Sequence, residues 1–398
     1  MTNPYKGLPD HQFWRRGVSG VEHHRLDPVV APKFRIAPTD RVATAGSCFA
    51  QHIAKRLVQA GFHYFITEDG TDLPLEERTR RNFGVFSARY GNLYTTAQLR
   101  QLFDEAFGRR RPHDLAFPRP DGRFVDAFRP QIEPEGHATP EAVAAARREH
   151  LDAVRRMFVD CDVFIFTLGL TEAWRSTVDQ SVFPLAPGVV GGAFDPAEHA
   201  FVNFDLAAVE GDLEAFLADL KSVNPGVRVL LTVSPVPLIA TYEKRHVLVS
   251  TTYSKSVLRV AAEQVMRRHD WVDYFPSYEI ITGSYAGGLY YEDDFREVNN
   301  LGVAHAMRCF LRNYTEGGVR QDADALAVLV DIDAVQFEGR VRPHVDRQLA
   351  RADLAVGHHP LAGIGDAHLD IRARFAEYGA NYRWFLLFTM LAGSMATM

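Results

Sequence analysis

Two rhythms of apolar and polar residues alternate along this chain. Residues 41–45 form a short, partly apolar run that ends at Gly46. Directly after it, Ala50, Ile53, Ala54, Leu57 and Val58 recur at helical spacing, with Gln51, Lys55, Arg56 and Gln59 on the other face. Gly61 stops that helix, and residues 62–66 are a second apolar run. Strand, turn, helix and strand in this order are the seed of a parallel sheet.

The unit recurs. Thr139-Pro140 supplies an N-cap and a first-turn proline for a helix that runs to about residue 158. Residues 163–168 read as a buried strand ending at Gly169. Leu213, Phe216, Leu217 and Leu220 mark the next helix, and Asn224-Pro225-Gly226 the turn after it. Residues 227–233 are the next strand, running into Ser234-Pro235. A helix over 254–268 buries Leu258, Ala261, Ala262 and Val265, and a short strand over 272–275 stops at Pro276. The alternation predicts a three-layer α/β/α sandwich around a mostly parallel, flavodoxin-like sheet. Ligands of such sheets bind beyond the carboxyl ends of the strands. Those ends are Gly46-Ser47-Cys48, Gly169-Leu170-Thr171-Glu172, Ser234-Pro235 and Pro276-Ser277-Tyr278-Glu279. Residues 1–40 lack a period and are expected to lie over the core as an arm. The pattern changes again after Gly317. The expected organisation is an arm (1–40), an α/β domain (41–318) and a C-terminal accessory region (319–398).

Composition narrows the function classes. With 46% hydrophobic and 24% charged residues among 398, the chain is an ordinary globular protein rather than a disordered one. A net charge of −6 does not favour nucleic acid as a partner. Cys48, Cys161 and Cys309 are odd in number and widely spaced, so neither a disulfide framework nor a structural zinc site is expected. That usage, and an N-terminus without an apolar leader, point to the cytoplasm. No run reaches the roughly 18 apolar residues of a membrane span; the nearest, 384–398, reads as a packed terminal helix. No metal or other cofactor is expected, and the oligomeric state is not legible.

The candidate chemistry starts at Gly46-Ser47-Cys48. A strand that runs straight into a helix needs a sharp turn, which glycine tolerates. The next two side chains then sit at a helix N-terminus, whose free N–H groups favour negative charge. A thiol there is more acidic, and a hydroxyl lies beside donors suited to an oxyanion. The plain structural alternative makes Ser47 a helix cap and Cys48 a small buried hydrophobe. GxSxG, GxxxxGK[ST], HExxH and GxGxxG motifs do not occur, which removes the common lipase, nucleotidase, zincin and dehydrogenase readings.

Ala45-Gly46-Ser47-Cys48-Phe49-Ala50 resembles the motif that gives the bacterial GSCFA family its name. Phe13-Trp14-Arg15, Ser87-Ala88-Arg89-Tyr90-Gly91-Asn92, residues 167–174, residues 232–238, residues 254–259 and residues 273–279 resemble further blocks of that family. The family is similar to SGNH hydrolases. That likeness implies a nucleophile at Cys48 with Ser47 as competitor. It also implies an oxyanion and substrate region at Gly46, Gly91, Asn92, Gly169, Thr171 and Glu172. The last SGNH block, Asp-x-x-His, corresponds to Asp294-Phe295-Arg296-Glu297, so Glu297 stands where the histidine base is expected. His305, two helical turns on, is a candidate replacement, and His246 a weaker one. The resemblance implies an esterase or O-acyltransferase acting on small-molecule or carbohydrate acyl esters. The alternative is a non-catalytic binding or scaffold protein on the same fold, and a redox-sensing Cys48 is a third reading.

Overall fold

The computed structural model describes residues 3–47 and 49–317. Expectations for Cys48, for residues 319–398 and for the run 384–398 fall outside the described residues. The elements in chain order are β1 (Val42–Gly46), α1 (Phe49–Gln59), α2 (Leu75–Arg80), α3 (Thr96–Ala106), β2 (Ala116–Pro118), β3 (Phe124–Asp126) and α4 (Pro140–Asp160). They continue with β4 (Val163–Leu168), β5 (Glu172–Ser176), β6 (Val182–Phe183), β7 (His199–Asn203), α5 (Leu206–Val223) and β8 (Arg228–Val233). The last are α6 (Val247–Arg268), β9 (Val272–Tyr274), α7 (Ser277–Thr282) and α8 (Asn300–Tyr314).

The central sheet is parallel, in the order β1-β4-β8-β9. Its strands are apolar runs because both faces are covered. On one face, Ala43, Ala45, Phe164, Phe166, Leu231 and Val233 join the core formed with α3, α4, α5 and α6. On the other lie α1, α7 and α8, and Thr232 of β8 shares a 2.6 Å hydrogen bond with Ser277 of α7. The α/β/α layering expected from the sequence is therefore present.

Residues 62–66 form less than the expected strand. Tyr64 makes a single parallel bridge to Val42, with Val42 N–H donating to His63 O and Phe65 N–H to Val42 O. That rudiment still lies outside β1, so the chain first crosses to one side of β1 and then returns to place β4 on the other. The order reversal falls between β1 and β4, and crevices in open α/β sheets form at such a point.

Two small sheets attach to this frame, the β2–β3 hairpin and the antiparallel β6-β5-β7 set. The arm holds short turns at Asp10–Gln12, Arg15–Ser19 and His23–Arg25 and is tied to the domain by an Ile36–Thr315 bridge. Among the described residues no helix is long and apolar enough to cross a membrane.

A buried ionic cluster joins α3, α4 and the segments around β3. Arg147 bonds Glu105 at 2.7 Å and Asp126 at 3.1 Å, Arg129 bonds Asp126 at 2.9 Å, and Arg89 bonds Glu133 at 2.6 Å. Burial works to raise the Asp126 carboxyl, but Arg147, Arg129 and the Phe128 N–H outweigh it and hold it at about 2. His150 bonds Glu68 at 2.7 Å, and burial lowers its pKa to about 4, so the ring is neutral at pH 7. Its Nε2 and Glu105 Oε1 lack partners among the described residues, and both residues line a void of about 20 Å³, the size of one water.

Candidate active site

The turn after β1 is built around Gly46. Its φ is +130°, and a Cβ there would meet Thr167 O at 2.3 Å, so only glycine fits between β1 and β4. Ser47 N–H donates to Thr167 O at 3.2 Å, and Ala50 N–H donates back to Ser47 O at 2.9 Å as α1 begins. The Ser47 hydroxyl is buried and has no hydrogen-bond partner among the described residues. Such orphans are uncommon, because a buried polar group without a partner carries its full desolvation cost.

Gly91-Asn92-Leu93-Tyr94 is laced across the two strand ends. Leu93 N–H donates to Gly46 O at 2.9 Å, while Tyr94 O accepts from Gly169 N–H at 3.1 Å and Leu170 N–H at 3.0 Å. Gly91 adopts φ +73°, which lets the segment turn. The N–H groups of Gly91 and Asn92 make no hydrogen bond among the described residues, and Asn92 Oδ1 is buried without a partner. Gly169 completes the contact: a Cβ on it would lie 3.3 Å from Ser47 Cβ. The first three motif blocks thus meet at the switch point. Beside them lies a cavity of about 180 Å³, lined by Gln51, Gly91, Asn92, Tyr94, Arg129 and Gln131 among others.

Thr171 and Glu172 have other work. The Thr171 hydroxyl donates to Asn203 Oδ1 at 2.7 Å, and its N–H donates to Ser254 Oγ at 3.0 Å. The Glu172 carboxylate accepts from the Thr241 hydroxyl at 2.6 Å and from Tyr242 N–H at 3.2 Å. Neither donor of Thr171 is free for an oxyanion, and Glu172 fastens the loop after β8. That loop carries exposed Tyr242, whose ring lies 4.8 Å from Trp174 on β5.

The last block is gathered differently from expectation. Asp294 is exposed and caps the turn before α8, accepting Arg296 N–H at 2.9 Å and Glu297 N–H at 3.0 Å, which lowers its carboxyl pKa. Glu297 is exposed. His305 is buried with both ring nitrogens engaged, Nδ1 with the Tyr290 hydroxyl at 2.6 Å and Nε2 with Leu26 O at 2.6 Å. Burial pushes its pKa down to about 4. In this arrangement the imidazole ties the arm to α8 and has no free nitrogen for the turn. His246 is an exposed N-cap of α6, its Nδ1 accepting from Leu248 N–H.

One group at the site was missed in the sequence. Lys255 of α6 is 2% exposed, and its Nζ donates to Gly169 O at 2.6 Å. Burial, and then the charge of Arg296, lower its pKa to about 7. Helical phasing carried the signal, since Lys255 lies three residues before Leu258 on the stripe that faces the core.

A model of the GSCFA family matches residues 41–310. No curated protein and no solved structure matches the chain.

Proposed function

This chain belongs to the GSCFA family, and from that premise we propose that it is an SGNH-like esterase or O-acyltransferase with its nucleophile at the Ser47–Cys48 step. The observation that carries the reading is the buried, unpartnered Ser47 hydroxyl at the β1/β4 switch point, with the Gly91–Asn92 segment and Gly169 packed against it. A nucleophile needs a lone pair not committed elsewhere. An oxyanion needs preorganised donors, and the uncommitted N–H groups of Gly91 and Asn92 with the Asn92 amide supply them. The adjacent cavity of about 180 Å³ receives part of the ester. The Trp174–Tyr242 aromatic pair, on β5 and the loop after β8, suits the flat face of a sugar ring and favours carbohydrate esters.

The test is a panel of acyl esters together with a serine- and thiol-directed acylating probe, with the adduct mapped by mass spectrometry. The expected adduct is at residue 47 or 48, and Ser47→Ala and Cys48→Ser alter it differently according to which atom attacks. Neither labelling nor turnover between pH ~6 and ~9, the range of useful general bases, overturns the hydrolase reading in favour of a binding protein on the same fold.

A further inference from the structure

We propose that Lys255 is the general base of the Ser47–Cys48 step, filling from α6 the place that the last-block histidine vacates. The inference rests on the acyl-transfer reading above and adds a catalytic residue to it.

The geometry comes first. Lys255 Nζ reaches Gly169 O at 2.6 Å, and Gly169 is the residue that packs on the Ser47 side chain. The amine and the Ser47 side chain are therefore both neighbours of Gly169; they do not hydrogen-bond in the structure, and proton transfer requires them to close to that distance. The lysine is as deeply buried as the arginines of the ionic cluster, yet among the described residues it has no carboxylate partner. A permanently charged ammonium in that position is costly. A neutral amine is not, and it still donates one N–H to Gly169 O while keeping a lone pair.

The surroundings keep it that way. The charged group that acts on it is Arg296, from the turn before α8. On its own helix Arg259 is paired with Glu263 and Glu279. From the β5–β7 side and the loop after β8, Glu172 is held by Thr241 and Tyr242, and Glu243 by Asn203. Burial and Arg296 bring the amine to about 7, where both protonation states are populated at neutral pH. By contrast His305 has no free nitrogen.

The step balances without a co-reactant beyond substrate and water. The Nζ lone pair takes the proton of the Ser47 hydroxyl or Cys48 thiol as its oxygen or sulfur bonds to the acyl carbon. The carbonyl π pair moves to oxygen. On collapse the bond to the leaving oxygen breaks, and that oxygen takes the proton from the Lys255 ammonium. Water, or an acceptor hydroxyl in transfer, then gives its proton to the same amine as its oxygen bonds to the acyl carbon. On collapse the bond from that carbon to the Ser47 oxygen or Cys48 sulfur breaks, and that atom takes its proton back from the Lys255 ammonium.

The experiment measures the rate of labelling at residues 47 and 48 against pH in the full chain, for the wild type, Lys255→Arg and Lys255→Met. Arginine keeps the donor to Gly169 O but does not release a proton in this range. The expected wild-type rate rises through an inflection near pH 7. Both variants are expected to lose about 10²-fold or more, the usual contribution of a general base, and to lose the inflection while retaining the wild-type circular dichroism. Should Lys255→Arg fail to fold, Lys255→Met and the wild-type inflection decide. Labelling of either folded variant at the wild-type rate and pH profile, or a wild-type inflection above pH ~8.5, overturns the role of Lys255 and leaves the nucleophile standing. A wild type that is never labelled overturns both.

Discussion

Arg147 and Lys255 are both cations sealed inside the same domain, and they are treated in opposite ways. Arg147 meets two carboxylates, Glu105 and Asp126, in a network that also includes Arg129 and His150. Lys255 meets one backbone carbonyl and a second cation, Arg296. A matched cluster fixes the packing of α3, α4 and the β3 region. An unmatched one is tolerated only if the group gives up its charge, and a group that readily does so near pH 7 is suited to moving protons. Orphaned polar atoms do not follow that division: Ser47 Oγ, Thr167 Oγ1 and Asn92 Oδ1 belong to the motif blocks, while Glu105 Oε1 and His150 Nε2 belong to the matched cluster.

The contrast is sharpest in stability. Arg147→Met leaves Glu105 without its ionic partner and Asp126 with Arg129 alone. Breaking a buried pair in this way costs roughly 3–5 kcal/mol, read as a lower midpoint in urea denaturation at unchanged slope. Lys255→Met, by contrast, removes a cation that has no counter-ion and should not lower the midpoint at pH 7. A comparable loss in both variants would erase the distinction between the two regions.

Gly46→Ala has the next largest effect. It forces an L-residue to φ +130° and puts a Cβ against Thr167 O. Backbone strain with a clash at the β1/β4 seam is expected to cost about 3 kcal/mol. It should also abolish labelling of residues 47 and 48, because the turn that presents them must move. Wild-type stability in thermal melts, with labelling intact, would show that the close approach is not needed.

The smallest effect is a pH dependence that falls in different windows in the two regions. Below pH 7 folded and unfolded chains both hold the Lys255 proton, and the cost of burying an ammonium is fully present. Between its folded value of about 7 and its ordinary value of 10.5 only the unfolded chain holds the proton, so stability rises with pH. From pH 7 to 9 the gain is on the order of 2 kcal/mol relative to Lys255→Met. Asp126 has the same sign in a lower window, but there it is the charged form that the fold stabilises. Its contribution is fully present above 3.8 and is lost as pH falls towards about 2. Urea midpoints of the wild type and Lys255→Met at pH 7 and 9 measure the first, and parallel curves would mean that Lys255 is charged throughout.

The sequence by itself determined the frame. The apolar runs of β1, β4 and β8 and the capped helix after Thr139 follow from local patterning, because a strand covered on both faces must be apolar along its length. It also brought the Gly46-Ser47-Cys48 and Gly169-Leu170-Thr171-Glu172 blocks to the strand ends, but not Gly91-Asn92. Tertiary structure decided what local patterning does not encode. The β5–β7 meander was not read, since its half-buried strands are short. The start of α6 was also missed, because Leu248 and Val249 break the stripe by facing solvent. His305 looked available because its helix is amphipathic, yet its partners, Leu26 and Tyr290, come from the arm and the segment before α8. Lys255 shares a stripe with Leu258, but whether a buried lysine is matched or bare depends on carboxylates tens or hundreds of residues away. Hydrophobic period is a property of neighbours along the chain; the state of a buried charge is a property of neighbours in space.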